Sequence, residues 1–406
     1  MPGYSPDTAI LVVAILLVAT VVAGTLSSRF GLPALVGFLG LGMLAGSDGL
    51  GGIAFDNYAL AQTVGIVCLI FILFSGGLDT DWREVRGAAA PAMVLATLGV
   101  LISAGIVGAI ATLVLDFSLL QGMLLGAVVA STDAAAVFAI VRSQTKPLKP
   151  KIAGLIELES GSNDPGAIFL VGAILMLTLN AAPPHALAGD FLVQMLIGGA
   201  VGVGLGFATP IVLNRARLRV AGFTLVLSVA IALLAYGGAE VAYGNGFLAA
   251  YVAGIVAGNR DFIAKRETLL FQDGLAWLAQ VIMFMSLGLL VFPSQLPGVI
   301  VPGLIMTAAL MLVARPISVF ICLAPFRNFD WRAKLFVSWA GLRGAVPIVL
   351  ATFPIVAGAP SAQTIFNIVF FVVVASSLIQ GPTLGPLANR LGVTQDAAQP
   401  KQEGAS

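Results

Sequence analysis

Glu157-Leu158-Glu159-Ser160-Gly161-Ser162-Asn163-Asp164-Pro165 sets three carboxylates inside a block, 152–180, that is otherwise apolar. A soluble core would exclude such a run, and a solvent-facing helix would not be flanked by so much hydrocarbon. An acidic, oxygen-rich stretch at that depth is what a helix lining a polar site within a membrane looks like. The composition agrees. Of 406 residues, 59% are hydrophobic and 10% charged, and the net charge is +1. An average soluble domain is about 25% charged, and a nucleic-acid binder needs a basic excess, so both classes are excluded. The 47 glycines fit close helix packing in lipid. Cys68 and Cys322 lie far apart within apolar runs and read as free buried thiols.

Outward from this block, thirteen apolar segments follow one another: 8–28, 33–47, 59–78, 88–115, 119–142, 152–180, 187–213, 221–240, 244–258, 269–292, 297–323, 333–354 and 362–388. Several exceed the roughly 20 residues that cross a bilayer, so tilts or breaks are expected. The flank Met1–Asp7 carries no positive charge, so the first segment does not read as a cleaved signal. Numbering the loops alternately, one set holds eighteen of the twenty basic residues, from Arg29 through Arg83, Arg142, Arg215, Arg217, Arg219, Arg260 and Arg327 to Arg390 and Lys401. The opposite set holds Asp7, Asp48, Asp56, Asp116, Asp190 and Glu240. The positive-inside rule then predicts thirteen crossings, an outside N-terminus and a cytoplasmic C-terminus. A single membrane domain is expected over 1–390, with 391–406 as a short cytoplasmic tail and no appended soluble domain.

Six ionisable residues fall within the spans: Asp133, Glu157, Glu159, Asp164, Arg315 and Arg343. At about 1.5 Å per residue, Asp133 lies roughly 13 Å from Arg142, Arg343 roughly 13 Å from Lys334, Asp164 roughly 20 Å from Lys151, and Arg315 roughly 18 Å from Arg327. Against a hydrocarbon core of about 30 Å, these four gather near the midplane on four segments. Ion pairs that merely hold a bundle together are the plainer alternative, but two arginines cannot neutralise all the carboxylates. Ser160 and Asp164 share a helix face one turn apart, Glu159 shares another with Asn163, and Pro165 removes a backbone donor. An oxygen-rich face of this kind suits a hard monovalent cation. Glu157, nearer the cytoplasmic end, reads as an entrance residue.

The fifth segment carries Ser131-Thr132-Asp133 among Ala and Val, with no Gly or Pro to show a break. The twelfth carries Gly341-Leu342-Arg343-Gly344-Ala345-Val346-Pro347, which predicts a broken helix. Segments five and twelve, like the short Gly-rich segments two and nine, are seven apart and therefore antiparallel. That offset fits two inverted six-helix repeats, about 8–180 and 221–388, joined by a linking helix over 187–213. Gly198, Gly202 and Gly206 form a small-residue stripe on that linker, for a helix seam either within one chain or between two.

At these motifs the chain resembles the sodium/proton exchanger family, the electroneutral branch of the cation–proton antiporters. The matching stretches are Ser131-Thr132-Asp133, Glu159-Ser160-Gly161-Ser162-Asn163-Asp164-Pro165, Gly341 to Pro347, and Gly246 to Gly254. Within the family it looks most like the bacterial potassium/proton antiporters linked to cell-volume regulation, whose cytosolic extension is not seen after Arg390. The resemblance implies an all-α polytopic protein whose interrupted helices cross at the midplane. It implies a homodimer in the cell membrane, serving pH homeostasis without a cofactor or nucleic acid. Asp164 is then the cation- and proton-binding carboxylate and Asn163 its partner. Ser160, Thr132 and Asp133 complete the site, with Na⁺ or K⁺ held at Asp164, Ser160 and Thr132. Glu159 pairs with Arg315, and Arg343 compensates carbonyl dipoles at the break or pairs with Asp133. A cation channel and an intramembrane aspartyl protease using Asp133 and Asp164 are the weaker alternatives. The channel lacks a ring around a subunit axis, and the protease gives the arginines no role.

Overall fold

A computed structural model describes residues 5–29, 32–144, 146–179, 183–215 and 221–395. Arg217, Arg219 and Lys401, used above for the charge alternation, lie outside the described residues. Among the described residues the chain is helical throughout, and its only extended pairings are two isolated bridges.

Among the described residues, nine helices are long and apolar enough to cross a membrane on their own. They are α1 (Pro6–Arg29), α3 (Tyr58–Asp79), α4 (Trp82–Val114), α7 (Pro150–Thr178), α8 (Pro184–Arg215), α9 (Ala221–Val241), α11 (Lys265–Leu289), α12 (Pro293–Cys322) and α15 (Ala362–Leu391). Shorter apolar helices complete the bundle: α2 (Ala34–Ala45), α5 (Leu119–Val128), α6 (Ala134–Gln144), α10 (Gly246–Gly258), α13 (Trp331–Trp339) and α14 (Ala345–Val356). The helices fall on the thirteen apolar segments. Segments five and twelve each divide into two half-helices, and α4 begins six residues earlier than its apolar block. Asp81 caps that early start by accepting from the Arg83 N–H at 2.8 Å. At the far end of α12 the helix stops at Cys322, so the depth of Arg315 is not set by a continuous helix to Arg327.

Two packing groups emerge. In one, α1 packs on α2, α2 and α3 on α11, and α10 on α3, α8 and α9. In the other, α4 packs on α5 and α7, and α15 packs on α6, α12 and α14. The groups meet where α3 lies on α14 and α7 on α10. The stripe of Gly198, Gly202 and Gly206 is used up inside the chain. A side chain at these positions would strike Asn245, Ala249 and Val256 on or beside α10. Helix α10 therefore lies backbone-close on α8, and the stripe is an internal seam.

Each of α4 and α12 contains one π turn, Leu95–Gly99 and Ala309–Ala314. These helices are segments four and eleven, again seven apart. A buried hydrogen bond joins them, Ser103 Oγ to Ser318 Oγ at 3.1 Å. The first residues after Arg390, read above as the start of a short cytoplasmic tail, are held to the bundle. Gly392, at φ +64°, ends α15 in the left-handed conformation that suits glycine. The following residues are stitched to the loop before α7: Lys149 N donates to Val393 O at 2.9 Å and Gln395 N to Pro147 O at 2.8 Å.

Candidate functional site

A broken helix leaves orphaned carbonyls on one half and orphaned N–H groups on the other. Between α5 and α6 the chain runs non-helically through Val129–Asp133, and between α13 and α14 through Ala340–Gly344. The two interruptions close one another. Asp133 N donates to Leu342 O at 2.8 Å. Arg343, fully buried, places one guanidinium nitrogen 2.6 Å from both Ala130 O and Ser131 O, at the carbonyl end of α5. A positive charge there also meets the negative end of the half-helix dipole.

Helix α7 supplies the remaining partners. Ser160 Oγ donates to Thr132 O at 2.8 Å and accepts from Ala134 N at 2.9 Å, serving both sides of the break. Asn163 Nδ2 donates to Thr132 Oγ1 at 2.6 Å, while its Oδ1 accepts from Thr132 N at 3.4 Å. Asp164 is buried and accepts a hydrogen bond from Ser131 Oγ. Asp164, Asn163, Ser160 and Thr132 are thus brought together around one unwound segment. Asp133 caps α6, accepting from Ala136 N at 3.0 Å, and its carboxylate lies against Gly344. Any side chain at 344 would overlap that carboxylate, which explains the glycine.

Glu159 and Arg315 form a bidentate ion pair, with N–O distances of 2.6 and 2.8 Å, both residues buried. It is the one ion pair found among the described residues. Gly341 leaves room for the Arg315 side chain, whose Nε would stand 2.7 Å from a Cβ there. Of the two roles open to Arg343, compensating carbonyls or pairing with Asp133, the structure shows the first, and the ion pair with Asp133 is corrected: the guanidinium meets carbonyls. The carbonyl end of α5 points at the guanidinium, whereas the Asp133 carboxylate turns to the N–H groups of its own half-helix.

Three contributors were not singled out from the sequence. Ser131 stood in the motif but was not assigned to the site. Asn245 caps α10, accepting from Leu248 N at 2.9 Å, and its amide donates to Pro165 O at 3.2 Å across the two packing groups. Asn before a helical Gly run is a cap signal, but nothing local announces the second bond. Tyr251 of α10 packs its ring and hydroxyl on Gly161, one turn before Asp164. Glu157 is half-buried and outside this group of hydrogen bonds.

The Ser131 contact carries a prediction. In Ser131→Ala the ionised Asp164 carboxylate, which the family resemblance implies holds the cation, loses a donor. Hydrogen bonds to charged groups contribute about 1.5–3 kcal/mol. The half-saturating cation concentration should therefore rise about ten-fold or more, with the maximal exchange rate largely retained. An unchanged half-saturation would remove Ser131 from the site.

The family model for the transmembrane part of the sodium/hydrogen exchangers matches residues 13–390. The chain belongs to the sodium/hydrogen exchanger family. By family it is therefore a membrane transporter, not an enzyme. It is 43% identical to the K⁺/H⁺ antiporter NhaP of Alkalimonas amylolytica over 94% of this chain and 66% of that protein. It is 40% identical to the K⁺/H⁺ antiporter NhaP2 of Shewanella oneidensis over 95% of this chain and 67% of that protein. The chain thus spans about two thirds of the length of these exchanger relatives. Among solved structures, the sodium proton antiporter MjNhaP1 of Methanocaldococcus jannaschii at pH 8 superposes with a TM-score of 0.81 at 26% identity, covering 95% of this chain and 99% of that one.

Proposed function

We propose that the protein exchanges a monovalent cation, Na⁺ or K⁺, for a proton across the cell membrane, one for one, with both competing at Asp164. The observation that carries this reading is the environment of Asp164. It is a buried carboxylate outside any ion pair, beside an unwound segment whose hydroxyls and carbonyls are hard oxygen ligands. A charge in such a place is costly unless a cation or a proton accompanies it. The loaded and the protonated forms can then change sides while the bare carboxylate cannot, which is the condition for obligatory exchange. Thr132, Ser160 and Asp164 are the proposed cation ligands, and Asn163 and Asp133 shape the unwound segment that presents them.

The K⁺/H⁺ activity named for the two relatives at 40% identity and above favours K⁺ as the physiological cation. The charge alternation supports thirteen crossings with the N-terminus outside and the C-terminus cytoplasmic. The paired half-helices and the paired π turns, each seven segments apart, support two inverted repeats. We take the functional form to be a homodimer, as the family resemblance implies.

Sealed proteoliposomes with an internal pH-sensitive dye test the reading. Na⁺, K⁺ and Li⁺ are added separately, and each transported cation should move protons the opposite way. Cation flux with no pH change would point instead to a channel. Stoichiometry follows from Asn163, which cannot titrate, so Asp164 alone links the two ions. An imposed membrane potential should therefore leave the equilibrium ion gradient unmoved. A gradient that follows voltage would show unequal charge exchange and make Asp133 a second proton carrier.

A further inference from the structure

Helix α1 is the least buried long helix of the chain, yet it closes one side of a cavity of about 610 Å³. Leu17, Val21 and Thr25 of α1 form that side. Pro33 at the start of α2, Phe38 of α2, Ile140 and Ser143 of α6, and Trp277 of α11 complete it. Its volume falls within the roughly 300–1,000 Å³ of ligand sites. Two of its hydroxyls bond back into their own helices: Thr25 Oγ1 donates to Val21 O at 2.7 Å and Ser143 Oγ to Ile140 O at 2.8 Å. What the wall presents is hydrocarbon, so neither water nor a cation belongs there.

Depth and charge identify the occupant. From Arg29, the last residue of α1, to Leu17 at the deep end is twelve residues, roughly 18 Å at 1.5 Å each. That is about the hydrocarbon thickness of one leaflet, half of roughly 30 Å. Arg29 stands one turn beyond Thr25 on the same face, is exposed, and forms no ion pair among the described residues. Arg266, three turns before Trp277 on the matching face of α11, is exposed and unpaired in the same sense. With the orientation proposed above, both arginines sit at the cytoplasmic surface, where anionic headgroups lie.

We propose that this cavity binds an anionic phospholipid of the cytoplasmic leaflet, with an acyl chain between α6 and the helices α1, α2 and α11, and the phosphate at Arg29. The position matters because the walls belong to different packing groups. Helix α6, the half-helix that Asp133 caps, packs on α15 and α7, whereas α2 packs on both α1 and α11. A bound chain fills the seam between the group that carries the site and the group beside it. Lipid composition would then bias how readily the two slide.

Native mass spectrometry of the purified full chain tests this without any ion gradient, so its outcome is independent of the transport reading. The protein is incubated with phosphatidylglycerol or phosphatidylethanolamine of identical acyl chains. Phosphatidylglycerol should be retained in preference. Arg29→Gln should weaken that retention about five-fold and leave phosphatidylethanolamine unchanged. Ala139→Phe, which fills the cavity from an exposed position on its wall, should abolish retention of both without lowering the unfolding temperature. Equal retention of the two lipids, or retention indifferent to both substitutions, overturns the proposal. A changed monomer–dimer ratio in Ala139→Phe with lipid retention intact also overturns it, because a second copy of the chain would then cover the cavity.

Discussion

Proteoliposomes carrying Asp164→Asn are expected to show no cation-driven proton flux above that of empty vesicles. The substitution keeps the size of the side chain, and the Ser131 hydroxyl can still donate to its amide oxygen. What disappears is the carboxylate at which, on the function proposed above, proton and cation compete. Asn163 beside it is already committed through both ends of its amide to Thr132, and cannot substitute. The fold should survive, because an uncharged amide relieves a buried charge rather than creating one. Thermal unfolding of the variant in detergent should therefore match or exceed that of the parent. Measurable exchange by a folded Asp164→Asn protein would move the transport site elsewhere.

The second large effect is on stability. Glu159→Ala strands the Arg315 guanidinium in a buried position, and Arg315→Ala strands the Glu159 carboxylate. Removing one partner of such a pair costs about 3–5 kcal/mol. Arg315 is the worse case, because its side chain also fills the space left by Gly341 at the second helix break. Each single variant should unfold at a clearly lower temperature, and the double variant should lose less than the sum of the two. Losses that simply add would show that the pair contributes nothing as a pair.

Much of this site could be read from residue types alone. Charges at mid-depth are so rare that Asp164, Glu159, Arg315 and Arg343 identify themselves, and Gly341, Gly344 and Pro347 announce a helix that cannot run through. The partner of Arg315 followed from the resemblance, and the bidentate geometry agrees with it. The break at Val129–Asp133 was missed because no Gly or Pro marks it, although Ser131, Thr132 and Asp133 are all residue types that cap helices. It exists because Ser160, Asn163 and Arg343 satisfy the backbone groups that unwinding exposes, and all three lie more than 25 residues away. The π turns escaped for the same reason. Nothing in Leu95–Gly99 or Ala309–Ala314 departs from an apolar helix, and the extra residue is accommodated by the crossing of α4 and α12. That Arg343 meets carbonyls and not Asp133 was left open by depth alone. Depth brings Asp133 and Arg343 to one level but does not say which way either side chain turns.

The dispersed origin of the first break bears on how portable the site is. A designer who transplanted residues 119–144 into another helical bundle would move the Asp133 cap of α6 but none of the partners that hold Thr132 and the carbonyls of α5 in the opening. To keep the opening, the graft would need the Ser160–Asp164 face of α7 in register and an arginine delivered from a second broken helix. The smallest transferable unit is therefore three chain segments that are far apart in sequence, and the first of them moved alone loses every outside partner that satisfies its opened backbone.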